Sequence, residues 1–403
     1  MVVLNEKKEK SFLSYLIVIL VFLAMLNNIP IVGLSQVGLV SILVIFIVTV
    51  FSLTAHLMKT NTLSRFHVWL VILGFCYTVL NLFGYFQDHG IRYYVVTFQF
   101  FFLFIFFLTL TFVKWDINKL RFLSKISALI IVLNFTLLTL QKFPTHFSGL
   151  FNNPNSLGLF IFLVYFFYTV QGVKKRKILW FTLTTMSMTL IYFSSARSIF
   201  LSIAVMLITY VGWNFITKNR LIFTSFIAAV IAALISFVYI YPNMYKWKSF
   251  QSLNNLTWEY TGKNLLSGRE VIWEKTLSLL QEKIWFGFGA GATPSIVQGV
   301  ELSAHNLYVQ VAYQLGLIGL AILMLILLTI WFGFWKGRND NKVRLSAAFF
   351  IGTLIQQSFE VTLIQNNMAI ALMQWLIIGI GIGLSFRYSR KTKIESSQSD
   401  QTA

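Results

Sequence analysis

One cysteine in 403 residues excludes several classes at once. Cys76 lies inside an apolar run, so the chain can form no internal disulfide and no cysteine metal site, and its redox compartment stays open. Acids are also scarce, 13 Asp and Glu against 32 Lys and Arg. No Asp-x-Asp occurs anywhere. The acids expected outside the membrane are Asp88, Glu259, Glu270, Glu274, Glu282 and Glu301, and none has metal-ligand spacing, which argues against metal catalysis. Charged residues of both signs make up only 11% of the chain, too few to cover a soluble protein of this length. What fills the chain instead is apolar, 57% of its residues. These proportions predict an all-α polytopic membrane protein.

A formal net charge of +19 raises the question of nucleic acid. The placement of the charges answers it, because most of them sit in short loops between apolar segments. Hydropathy predicts about twelve spanning helices, over 12–29, 34–56, 67–86, 93–113, 122–141, 155–172, 178–195, 199–217, 221–241, 307–335, 345–364 and 369–386. Each is near the ~20 residues that a bilayer requires. The first follows Lys7, Lys8 and Lys10 as a signal peptide would, but no small-x-small cleavage site comes after it. It is expected to remain as an anchor.

With the N-terminus inside, 23 of the 32 Lys and Arg fall on the cytoplasmic side, Lys174, Lys175 and Arg176 among them. Short outer loops hold only Arg92, Lys142 and Arg197. The positive-inside rule thus accounts for the charge without nucleic acid and puts both termini in the cytoplasm. The expected units are a bundle of about nine helices over 1–241, a long extracytoplasmic loop over 242–305, C-terminal helices over 306–388 and a cytoplasmic tail over 389–403. Within the loop, Arg269 to Lys283 reads as an amphipathic helix with Ile272, Thr276, Leu279 and Leu280 near helical spacing. Trp247, Trp258, Trp273 and Trp285 suit the headgroup region, so this helix is expected to lie on the outer leaflet.

Several polar residues admit two readings each. Arg197, in Ser194-Ser195-Ala196-Arg197-Ser198, sits between two apolar helices with almost no loop. It either faces a polar cavity, where its fork of donors matches phosphate oxygens, or snorkels to lipid headgroups. Arg269 opens the outer helix and either joins the free amides there in holding an anion or is a solvated surface arginine. His305 begins a spanning helix beside Asn306 and Tyr308, whereas His56 and His67 fall near the cytoplasmic side and His89 and His146 in outer loops. It is either a general base suited to neutral pH or a polar helix start at the interface. Gly287, Gly289 and Gly291 look like a phosphate loop but follow a helix, so a flexible turn is the preferred reading. Glu360 is read as the one acid well inside a spanning helix, in a polar patch with Gln356, Gln357 and Ser358. It is either functional or a counter-charge to a buried arginine.

In order, Gly149-Leu150-Phe151-Asn152-Asn153-Pro154-Asn155, Ser195-Ala196-Arg197-Ser198, Ser267-Gly268-Arg269-Glu270-x-Ile272-Trp273 with its glycine run, and Ala304-His305-Asn306-x-Tyr308 before Gly316-Leu317-Ile318-Gly319 resemble the motifs of the O-antigen ligase and polysaccharide polymerase family. The resemblance spans about 149–319, and elsewhere the chain matches only in hydropathy. It implies a GT-C-like bundle of twelve helices in the bacterial plasma (inner) membrane, with the active site facing outward. It also implies transfer of a glycan from undecaprenyl pyrophosphate to an acceptor hydroxyl without metal or other cofactor. Arg197 and Arg269 would hold the pyrophosphate and His305 would activate the acceptor. Asn155, Asn306, Tyr308 and Glu360 are second-tier candidates for substrate binding. The expected partners are the lipid-linked donor, a glycan acceptor, membrane lipid and a chain-length regulator. The absence of any acid near Pro30 to Gly33 sets the chain apart from many lipid-dependent glycosyltransferases, which place a catalytic carboxylate in the first outer loop.

A polymerase that joins repeat units of a surface or capsular polysaccharide is the preferred reading. The abundance of Phe, Ile, Asn and Lys suggests an AT-rich genome, common in Gram-positive bacteria, which lack lipid A. The alternatives are a ligase that passes finished glycan to lipid A core or another acceptor, and a flippase, which should show broken helices near the midplane.

Overall fold

A backbone in hydrocarbon must satisfy its own N–H and C=O groups, and apolar runs of this length do so as helices. A computed structural model describes residues 2–59, 63–83, 90–171, 177–262, 264–266, 268–297, 300–301 and 303–399. Asp88, His89, Lys174, Lys175, Arg176 and Ser267, named above, lie outside the described residues. The helices are α1 (Val2–Ala24), α2 (Val32–Lys59), α3 (Arg65–Phe83), α4 (Gly90–Phe112), α5 (Ile117–Leu140), α6 (Pro154–Thr169), α7 (Lys177–Phe193), α8 (Arg197–Val211), α9 (Trp213–Ile216), α10 (Arg220–Asn243), α11 (Phe250–Thr261), α12 (Arg269–Leu280), α13 (Leu307–Phe334), α14 (Asn341–Gln356) and α15 (Met368–Ser399). The described strands are a short antiparallel pair, Ser295–Val297 and Val300–Glu301.

Every expected span meets a helix, but their lengths differ. Seven described helices are long and apolar enough to cross a bilayer alone: α2, α3, α4, α5, α10, α13 and α15. Shorter apolar helices cover 12–28, 154–169 and 197–211. α15 forms the centre, buried almost continuously from Ala369 to Ile382. Gly379 lets it approach Leu110 of α4, and Gly381 lets it approach Ser346 of α14; a Cβ at either glycine would overlap that neighbour.

Two expected spans are broken. α13 departs from helical geometry at Gly316, with φ 66° and ψ −169°, a region open essentially to glycine alone. The strap over 284–289 supplies what the break removes. Phe288 and Gly289 donate their amides to the carbonyls of Tyr313 and Gln314 at 2.9 and 2.8 Å. The amides of Leu317 and Ile318 donate to Ile284 and Trp285 at 2.8 and 3.3 Å. A Cβ at Gly316 would overlap the Trp285 carbonyl. The run Gly287–Gly291 is therefore a packed strap rather than a flexible turn, with Ala290 buried.

The span expected over 345–364 stops at Gln356, and 357–367 run irregularly through a largely buried region. The Gln357 side-chain oxygen accepts the amides of Thr362 and Leu363 at 3.0 Å each. Asn306 Nδ2 donates to the Ser358 carbonyl at 3.1 Å, and the Trp375 indole donates to the Leu363 carbonyl at 2.8 Å. Irregular backbone is tolerated in a membrane protein where protein groups satisfy it in this way. Glu360 thus stands on an irregular segment and not inside a spanning helix.

The 242–305 stretch also differs from expectation. It holds α11, which the sequence pattern did not predict. α12, expected on the outer leaflet beside the bundle, packs against α10 and α13. Trp273 is fully buried, with its ring 4.8 Å from Tyr241 and 5.7 Å from Phe237 of α10. Trp247, Trp258 and Trp285 are exposed.

Candidate active site

Three of the singled-out side chains meet directly. Arg269 Nη2 lies 3.2 Å from Glu360 Oε1, and His305 Nδ1 lies 3.3 Å from Glu360 Oε2. Arg269 and Glu360 are about three-quarters or more buried, whereas the His305 side chain is 44% exposed. Glu360 therefore bridges an arginine and a histidine, and one imidazole edge stays open.

The chain geometry at His305 is tightly held. His305 has φ 47°, a left-handed conformation unusual for a residue with a Cβ. On one side, the Trp273 indole donates to the Ala304 carbonyl at 2.7 Å, and the Ala304 amide donates to Gln310 Oε1 at 2.9 Å. Gln310 and Gln314 both donate to the Ala292 carbonyl, at 3.0 and 3.1 Å, and so tie the strap to the same point. On the other side, Asn306 caps α13 by accepting the amides of Tyr308 and Val309 at 3.0 and 3.1 Å. Asn306 is fully buried. Tyr308 is also buried, and its hydroxyl donates to the Leu354 carbonyl at 2.8 Å. Both residues face the interior with their polar groups engaged there.

Arg197 opens α8 after a tight turn in which Ser195 has φ 55°. Gly158 of α6 packs on this turn, where a Cβ would collide with Ser194 and Ala196. The turn is thereby fixed against the first turns of the helix that begins at Pro154. Asn155 is exposed there, next to Asn153, whose side chain caps the helix. Arg197 Nη1 donates to the Asn264 carbonyl at 2.9 Å. It lines a cavity of about 760 Å³ with Gly268 and Glu270, the two neighbours of Arg269. The cavity so brings the Arg197 turn and the start of α12 to one site. Asn264, Gln310 and Gln314 were not singled out from the sequence, and Trp273 was placed only at the headgroup region; their partners lie 6 to 67 residues away, which periodicity does not reveal.

The open edge at His305 suits proton transfer, and Arg197 offers a cation whose described partner is a neutral carbonyl. Trp273→Phe tests how far the loop anchor matters. It removes one hydrogen bond and keeps most of the packing, so turnover should fall about fivefold, the equivalent of one such bond. Membrane abundance, read by immunoblot, should stay near that of the parent.

Residues 178–324 match the family model described as O-Antigen ligase. No curated protein matches the chain. The matched stretch holds Arg197, Arg269 and His305, while Asn155 and Glu360 lie outside it. Over 178–324 this integral membrane protein is therefore similar to the O-antigen ligase family.

Proposed function

We propose that the protein is a metal-independent, inverting glycosyltransferase that polymerises undecaprenyl-pyrophosphate-linked repeat units into a surface or capsular polysaccharide. The observation that carries this reading is the bridge from Arg269 through Glu360 to His305 beside the cavity that Arg197 lines. With Nδ1–H donated to Glu360, the Nε2 lone pair of His305 points away and takes the proton of the acceptor hydroxyl. This tautomer is assigned from the hydrogen bond. The carboxylate then stabilises the imidazolium that forms, as the acid does in a serine-histidine-aspartate triad.

Cleavage breaks the bond between the anomeric carbon and pyrophosphate, and charge grows on the leaving group. Arg197 stabilises that charge with a guanidinium bonded to a neutral carbonyl, and Arg269 adds donors that Glu360 does not occupy. Pyrophosphate leaves without a general acid, so a paired carboxylate is not required. In this reading Asn306 and Tyr308 position His305 and do not touch substrate, and Asn155 stands by the Arg197 turn. The outward-facing site, the plasma-membrane location, the GT-C relationship and a chain-length partner belong to the same proposal.

The two helix breaks favour a second reading, a flippase for the lipid-linked glycan. Against it, the break at Gly316 is filled by the strap and the segment after Gln356 by Gln357 and Asn306. A finished-glycan ligase would share the whole site and differ only in acceptor. A gel of surface polysaccharide from a deletion strain distinguishes the three. Single repeat units that lengthen only on complementation support the polymerase. Long unattached carrier-linked chains mark a ligase, and glycan that fails to reach the surface marks a flippase.

A further inference from the structure

The cavity at Arg197 extends well beyond what a pyrophosphate needs. Its volume of about 760 Å³ lies in the upper range for small-ligand sites. Beyond Arg197 the wall is lined by Tyr245, Phe250, Trp258, Asn254, Asn264 and Glu270. Tyr245 and Trp258 are 46% and 57% exposed. Glu270 brings to this wall a carboxylate, which accepts from hydroxyls.

The wall is joined to Arg197 through the backbone. Asn254 of α11 accepts the Leu265 amide at 2.8 Å, and its Nδ2 lies 3.3 Å from Asn264 Oδ1. Asn264 in turn holds Arg197 through its carbonyl. A ligand whose phosphate sits on Arg197 therefore has its next group beside aromatic faces, amides and a carboxylate. A carboxylate repels phosphate and accepts from hydroxyls, while the flat apolar faces of Trp and Tyr suit the C–H faces of a pyranose.

We infer that α11 and Glu270 form the sugar subsite for the residues of the glycan next to the pyrophosphate. Glu270 accepts from sugar hydroxyls, and Trp258 and Tyr245 are the stacking surfaces. This assignment rests on the glycosyltransferase reading and adds the residues that recognise the sugar.

The test compares two probes by titration calorimetry with the full-length protein in nanodiscs. One is undecaprenyl pyrophosphate. The other is the carrier-linked repeat unit extracted from cells deleted for this gene. Glu270→Ala should weaken binding of the glycan-bearing carrier about tenfold, the size of a hydrogen bond to a charged group, and Trp258→Ala by about as much through the lost apolar stacking surface. Affinity for the bare carrier should stay unchanged, and Arg197→Ala should weaken both probes. Equal loss for both probes, or no loss for either, overturns the sugar subsite. The transferase reading survives that result if wild type binds the glycan-bearing carrier and Arg197→Ala does not. If wild type binds neither probe, both fail together. Elution volume and circular dichroism of each variant separate loss of fold from loss of a subsite.

Discussion

His305→Ala should lower turnover of the lipid-linked donor by about 10²–10⁴, the usual contribution of a positioned general base. Its membrane abundance should match the parent, because the His305 side chain is 44% exposed and the bonds that hold this loop come from its neighbours. Arg197→Ala and Arg269→Ala should also abolish long-chain glycan, though by a different route. On the proposed mechanism they would remove stabilisation of the leaving pyrophosphate and keep His305 itself. Arg269→Lys should remain impaired, since a point charge cannot both pair with Glu360 and present a fork to phosphate. Near-normal polymer from any of these variants would remove that residue from the site.

Gly316→Ala should have the opposite profile, with loss of the protein itself. Its backbone lies where only glycine is at ease, at φ 66° and ψ −169°. An alanine there carries about 1–3 kcal/mol of conformational strain before any contact is considered. Its Cβ would also overlap the Trp285 carbonyl, and the strap would have to move. Four inter-segment hydrogen bonds depend on that approach, those of Phe288, Gly289, Leu317 and Ile318. Immunoblots of membranes should show severe depletion of Gly316→Ala. Full abundance with normal glycan would mean the break in α13 is not essential to the fold. Gly33 offers a control, since nothing lies within 4 Å of a Cβ built there.

The helices were legible in the sequence because hydrocarbon leaves the backbone little choice. The breaks were not. A helix apolar on all sides gives no periodic signal, so hydropathy runs unchanged through Gly316 and on past Gln356. Gln357, which looked like part of a polar patch in a helix, serves to satisfy a backbone that has left it. α11 escaped notice because Gln251, Ser252, Asn254, Asn255 and Thr257 dilute its apolar positions. Trp273 was assigned to the interface on residue type alone, and its burial depends on Phe237 and Tyr241, more than thirty residues earlier.

The site shows the same division. Arg197, Arg269 and His305 stood out because a charged or titratable group at a membrane edge is costly unless it is used. Glu360 also stood out, with its role left between function and counter-charge. In the fold it pairs with both Arg269 and His305, across 91 and 55 residues. No local pattern carries such a pairing. The cavity wall beside Arg197 was hidden for the same reason, since Asn264 is distinguished only by what its carbonyl holds.

Donor cleavage by the purified protein bears most directly on the proposed chemistry. The extracted carrier-linked repeat unit would be incubated with nanodisc-embedded protein in the presence of a chelator, and release of undecaprenyl pyrophosphate followed over time. Wild type should release the carrier and lengthen the glycan, with His305→Ala slower by about 10² or more. Release by His305→Ala at the wild-type rate would contradict the assigned base. Movement of intact donor across a vesicle membrane without cleavage would contradict the transferase itself.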